Sequence, residues 1–166
     1  KSEMKGQYII TSVTFELSHA NHKLKTSYGA ISSELEKMQI THPTIHDVSK
    51  AVIAIRQSKL PDPKQLGNSG SFFKNPVITK TQFKTLLNQF PNIPHYPVAD
   101  DEVKIPAGWL IETAGFKGKT FKNYGIHKNQ ALVLVNYGGA SGQDILGLSQ
   151  LIQKTILKYL RGIYLL

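Results

Sequence analysis

The chain of 166 residues contains no cysteine. That absence excludes disulfides, thiolate zinc centres and cysteine nucleophiles together. Also missing is any run of roughly 18 apolar residues of the kind that spans a bilayer. The N-terminus lacks the basic-then-apolar pattern of a secretory signal. No G-x-G-x-x-G fingerprint, Walker pattern or G-x-S-x-G elbow occurs, so a complete dinucleotide site, a P-loop and a serine-hydrolase site are all excluded. The six histidines form no zinc-ligand spacing: His19 and His22 flank a turn, while His42 and His46 straddle Pro43, which reads as solvated or capping. No metal, no membrane and a cytoplasmic setting are therefore expected. Acidic side chains are scarce, with 11 Asp and Glu against 20 Lys and Arg and a formal charge of +9.

What is present is an ordinary globular composition, 40% apolar, enough for a buried core. The positive excess points to an anionic partner. Two classes compete: a basic RNA- or nucleotide-binding module without catalysis, and a domain that takes a phosphorylated small molecule. Against nucleic acid, the cations are spread along the chain and no stacking aromatics interleave with them. The short acidic run Asp100, Asp101, Glu102 reads as a hydrated loop.

Periodicity gives an α+β alternation without repeats. "SVTFEL" alternates Val13, Phe15 and Leu17 with polar residues as a half-buried strand does, and "SHANHKLK" reads as the turn and strand after it. "YGAISSELEKM" sets Ile31, Leu35 and Met38 at helical spacing. A second helix starts at Thr44, with Asp47 three residues on, and "PDP" at 61–63 ends it. Thr79 with Gln82 opens another, "PNIPHYPVADDE" reads as loop, and "IPAGWLIETAG" is a short helix from Pro106 to Gly115. "QALVLVN" is a continuous apolar strand. The longest helix is capped by Ser141 and Asp144 and stops at Gly162; "IYLL" begins a further strand. The expected fold is α+β, a small, mostly antiparallel sheet packed with helices.

"GNSGSFFKNP", Gly67 to Pro76, is the densest stretch. Gly67, Asn68 and Gly70 read as a turn needing positive φ, and Phe72 and Phe73 as core. Ser71 is left between a glycine and two aromatics, with Lys59, Lys74 and Asn75 nearby in sequence and Arg56 one helical turn before Lys59. A serine hydroxyl can donate a proton when cations stabilise its alkoxide and apolar neighbours exclude water.

The blocks "IRQSKLPDPKQLGNSGSFFKNPVI", "KIPAGWLIE", "GFKGK", "IHKNQALVLVN" and "ASGQDILGLSQLIQ" follow one another over nearly the whole chain. Together they closely resemble the C-terminal half of the UDP-N-acetylenolpyruvoylglucosamine reductases, bacterial cell-wall flavoenzymes also called UDP-N-acetylmuramate dehydrogenases. The resemblance implies an oxidoreductase of peptidoglycan synthesis that uses NADPH and FAD. It reduces UDP-N-acetylglucosamine enolpyruvate to UDP-N-acetylmuramate, with hydride to C3 of the enolpyruvyl ether and a proton to C2.

By that resemblance Ser71 stands where the family's serine supplies the proton. Lys59 and Asn75 match positions near the substrate, and Tyr28 matches a mobile tyrosine that reaches over it in one branch. Tyr96, Lys104, Lys117 and Gln130 match positions associated with the UDP moiety. Arg56 and His127 also fall in matching blocks, with cofactor and structural roles both open.

Residues 1–60 then resemble the end of a FAD-binding domain and residues 61–166 the substrate-binding domain. A first FAD-binding lobe and an arginine near the substrate carboxylate are expected upstream. At the other end the family continues past "GIYL" into a segment carrying a catalytic glutamate, whereas here Leu165 is followed by Leu166 alone. We expect Leu165 to be the last native residue and Leu166 an appended one. The chain is then a fragment that neither retains FAD nor turns over substrate, its missing partner being the FAD-binding lobe of the same protein.

Overall fold

The computed structural model describes residues 6–159. The expected helix stop at Gly162, the strand begun by "IYLL" and Leu166 lie outside the described residues. The chain divides into two compact units, residues 1–52 and 53–166.

The first unit holds helix α1 (Ile31–Lys37) and the start of α2 (Ile45–Lys59). Ile31 and Leu35, one turn apart, are the buried positions of α1, as their spacing predicts. Thr44 and Asp47 open α2 with a reciprocal cap. The Asp47 carboxylate accepts from the Thr44 N–H at 2.9 Å and from its hydroxyl at 2.6 Å, while Thr44 Oγ1 accepts from the Asp47 N–H at 3.3 Å. The strand expected at "SVTFEL" does not form. Val13, Phe15 and Leu17 stay 66, 75 and 83% exposed. Alternation specifies a strand only where a neighbour supplies the ladder, and among the described residues none pairs with it. "SHANHKLK" is likewise irregular backbone.

The second unit carries two small antiparallel sheets where one was expected. Strands β1 (Gly67–Ser71), β5 (Thr120–Phe121), β6 (Tyr124–Ile126) and β7 (Val133–Asn136) form a sheet in the order β1-β7-β6-β5. Strands β2 (Val77–Thr79), β3 (Tyr96–Ala99) and β4 (Glu102–Lys104) form the other in the order β2-β4-β3. Helices α3 (Lys80–Gln89), α4 (Ala107–Thr113) and α5 (Gly142–Tyr159) complete the unit, which is α+β as predicted.

Two readings are corrected. The glycine-rich stretch is not simply a turn, since Gly67–Ser71 is strand β1, paired with β7. The proline-rich "loop" contains the β3–β4 hairpin, with Asp100 and Asp101 at its turn. Pro97 is tolerated because β3 lies at a sheet edge, where a missing N–H breaks no ladder on the open side.

The cap signals at the other two helices hold. Thr79 and Gln82 form a full capping box on α3, and Ser141 and Asp144 do the same for α5, the carboxylate accepting from the Ser141 N–H at 2.8 Å and hydroxyl at 2.6 Å. Along α5, Leu148, Ile152 and Ile156 recur every four residues and are at most 3% exposed. They join Leu110 and Ile111 of α4, Phe83 and Leu86 of α3, and Ile126 and Leu134 of the larger sheet in one core. Burying each such side chain stabilises the fold by about 1.5–3 kcal/mol. That core fixes α4 against both its neighbours and the chain around Phe73.

Candidate functional site

Ser71 closes β1 opposite Val133, just after a register shift between Asn68 and Ser71. Asn68 shapes that bulge: its Oδ1 accepts from the Gly70 N–H at 3.0 Å and its Nδ2 donates to the Leu66 carbonyl at 2.8 Å. Gly70 takes a φ of +72°, the left-handed conformation expected of it. Gly67 does not; its lack of a side chain serves close approach, because a Cβ there would sit 3.2 Å from the Asn136 carbonyl oxygen. After the bulge the Phe72 N–H donates to the Leu132 carbonyl at 2.8 Å, and Phe73 is buried. Phe72 was expected in the core but is 43% exposed, resting edge-on against Phe73. The Ser71 side chain is exposed, and among the described residues its hydroxyl has no hydrogen-bond partner.

Two predicted residues meet at the start of α4. Its cap residue, Pro106, offers no side-chain acceptor, and Asn75 supplies one from elsewhere: Asn75 Oδ1 accepts from the Ala107 N–H at 2.9 Å. Gln130 lies beside the next residue, its Oε1 3.9 Å from where a Cβ on Gly108 would stand. Both amides keep their NH₂ groups free of partners among the described residues. Tyr96 and Lys104 form a second pair, directly opposite each other on β3 and β4, with Val77 of β2 on the far side of Lys104. The Ile105 N–H donates to the Pro76 carbonyl at 2.9 Å, tying the end of β4 to the segment that carries Asn75.

At the other end of α4 the chain reverses through Gly115, whose φ is +74°. The Phe116 N–H donates to the Ile111 carbonyl and the Gly115 N–H to that of Glu112, the paired bonds of a Schellman turn. Lys117 is thereby carried back over the helix, where its ammonium lies 2.9 Å from each carboxylate oxygen of Glu112. The spacing rules for helical pairs do not reach this partner, because Glu112 and Lys117 lie five apart across a glycine reversal. An acidic residue in the last turn of a helix, where the dipole disfavours it, is the signal that could have found it.

Arg56 and His127 line one groove of about 840 Å³, together with Asn68, Gly70 and Asn129. Asn129 Nδ2 donates to the Ser58 carbonyl at 3.2 Å and so ties the loop after His127 to the end of α2. His127 Nδ1 is buried without a hydrogen-bond partner among the described residues. Burial, helped by the positive charge of Lys128, holds its pKa below the ordinary 6.5. Lys59, last residue of α2, is exposed and not among those lining the groove. Tyr28 belongs to the first unit and is 82% exposed.

Amide, phenol and ammonium groups are thus presented around one short helix and two sheets of a small α+β unit. Residues 62–164 match the family of the UDP-N-acetylenolpyruvoylglucosamine reductase C-terminal domain, and the chain belongs to that family. Over 156 residues it is 62% identical to the UDP-N-acetylenolpyruvoylglucosamine reductase of Flavobacterium johnsoniae and 49% identical to that of Chromobacterium violaceum, covering 94% of this chain in each case. It is 45% identical over 147 residues, 89% of this chain and 43% of the relative, to the reductase of the same name from Bacteroides fragilis. The chain spans somewhat under half the length of these relatives, 46% for the first two.

Proposed function

We propose that this chain is the substrate-binding part of an NADPH- and FAD-dependent cytoplasmic reductase that converts UDP-N-acetylglucosamine enolpyruvate to UDP-N-acetylmuramate. Residues 1–60 form the end of its FAD-binding domain and residues 61–166 the substrate domain. Beyond family membership, the observation that supports this reading is the gathering of Asn75, Gln130 and Lys117 along α4, with Tyr96 and Lys104 on the strands that lead into it.

The described residues fit one side of a flavin site. The groove reaching Gly70, next to Ser71, carries the Arg56 guanidinium and the orphaned His127 Nδ1, and its volume is in the range of ligand clefts. When bound, the flavin supplies hydride to C3 of the enolpyruvyl group. Ser71 supplies the proton to C2, so that the C=C bond gains one hydride and one proton, and the exposed hydroxyl recovers its proton from solvent. Lys59 lowers the cost of the negative charge that develops before protonation. By the family resemblance Tyr28 is a further substrate-binding candidate. Asn75, whose Oδ1 is committed to Ala107, turns its NH₂ to the substrate, and Lys104, Lys117, Tyr96 and Gln130 hold the UDP group. A single wall of groove does not retain FAD, so the chain by itself is inactive.

Titration of the chain with UDP and with a single-stranded RNA oligonucleotide at matched salt tests the reading. Saturable UDP binding that is weakened but still measurable in Lys117→Met supports it. Tight, steeply salt-dependent RNA binding with no response to UDP would overturn it in favour of a basic nucleic-acid module.

A further inference from the structure

Among the described residues only two ion pairs form, Glu34 with Lys37 on α1 and Glu112 with Lys117. The second is built differently from an ordinary surface pair. Both carboxylate oxygens of Glu112 lie 2.9 Å from one ammonium, and Glu112 makes no other side-chain hydrogen bond among the described residues. The Lys117 backbone is pinned on both sides. Phe116 is buried in the core, and the Lys119 N–H donates to the Phe116 carbonyl at 3.0 Å.

Stability does not account for the pair. The Lys117 and Glu112 side chains are 33 and 57% exposed, and exposed pairs stabilise folds little. A carboxylate in the last turn of a helix also sits against the negative end of the dipole. What the arrangement does is remove the freedom of a long cationic side chain while leaving at least one of its three N–H donors available.

We propose that Glu112 is a positioning residue, one that holds the Lys117 ammonium ready for an anionic oxygen of a uridine diphosphate group; this rests on the reading above that Lys117 meets that group. Lys117 without Glu112 has to be immobilised by the ligand itself, so the carboxylate contributes affinity without touching substrate. The benefit is confined to ligands that carry the phosphates.

The full-length reductase that carries this segment supplies the test, by calorimetric titration with UDP and with uridine. Glu112→Ala is expected to weaken UDP binding about two- to tenfold, the range set by immobilising one rotamer-rich side chain, and to leave uridine affinity and Tm unchanged. In steady state the KM for the UDP-sugar substrate rises by the same factor at constant kcat. In a Lys117→Met background the second substitution adds nothing, because the group it positions is gone. Unchanged or tighter UDP binding in Glu112→Ala overturns the proposal, tighter binding marking Glu112 as a counter-ion the ligand must displace. Equal losses with and without Lys117 also overturn it, since Glu112 then acts on its own. If Lys117→Met itself binds UDP normally, the reading of Lys117 fails instead, and the two failures are told apart.

Discussion

The side-chain carbonyl of Asn75 accepts a hydrogen bond from the backbone N–H of Ala107 at 2.9 Å, across 32 residues of chain. Helix α4 begins at that N–H behind a proline that cannot cap it by side chain. Asn75 therefore does locally what Thr44, Thr79 and Ser141 do for the other helices, but from a different segment. Asn75→Ala leaves a part-buried donor unpaired and should cost about 1–2 kcal/mol in denaturant unfolding. Asn75→Asp keeps the acceptor and should recover most of it. An Asn75→Ala chain as stable as the parent would show that water replaces the amide without cost.

Gly125 of β6 has no room for any side chain. A Cβ there would lie 2.4 Å from the Lys119 carbonyl oxygen and 2.9 Å from the Thr120 Cα, both backbone atoms of the neighbouring turn and strand. Neither can yield as a flexible side chain would. Gly125→Ala should destabilise the second unit by about 1–3 kcal/mol or more, seen as a lower urea midpoint, whereas Gly147→Ala on α5, where nothing lies within 4 Å, should stabilise slightly by helix propensity.

Burial disfavours the charged form of His127 and, with the positive charge of Lys128, keeps its pKa below 6.5. In the unfolded chain the ring protonates near 6.5, in the fold only at lower pH, so the unfolded state binds more protons in between. Stability is then complete above 6.5 and falls as the pH drops from there toward the folded value. Thermal melts between pH 7.5 and about 5 should show this decline, and His127→Gln should flatten its His-dependent part. An NMR titration giving a His127 pKa above 6.5 would reverse the sign and refute the account.

Local signals were the legible ones. Each of the three reciprocal caps uses a Ser or Thr followed three residues later by Asp or Gln, and each was readable because the partners are neighbours in sequence. Strand β1 was not, since "GNSGS" has no β-branched or aromatic residue and owes its strand to pairing with β7. The opposite error fell on Val13, Phe15 and Leu17, where the alternation is present and the partner is not. At the candidate site, the residues were named by resemblance, but their relations were hidden: Asn75 to Ala107 and Glu112 to Lys117 depend on long-range packing and on a Schellman reversal. Arg56 and His127, 71 residues apart in numbering, share a groove that no spacing rule reaches.

Ser71 carries the last prediction. The bulge set by Asn68 and Gly70 brings its hydroxyl to the exposed end of β1, and no acceptor among the described residues competes for its proton. Phe73 anchors the following residues in the core. If Ser71 supplies the proton to C2, its loss matters only after hydride has reached the substrate. On the function proposed above, Ser71→Ala in a full-length reductase that carries this segment should leave reduction of the flavin by NADPH nearly unchanged, because that half-reaction takes no proton from this hydroxyl. Reoxidation by the enolpyruvyl substrate should slow by roughly 10²- to 10⁴-fold, the usual effect of removing a positioned general acid. Stopped-flow absorbance of the flavin separates the two steps, and thermal melts check that the bulge survives. Reoxidation at the parental rate would reduce Ser71 to a strand-end residue and require another proton donor.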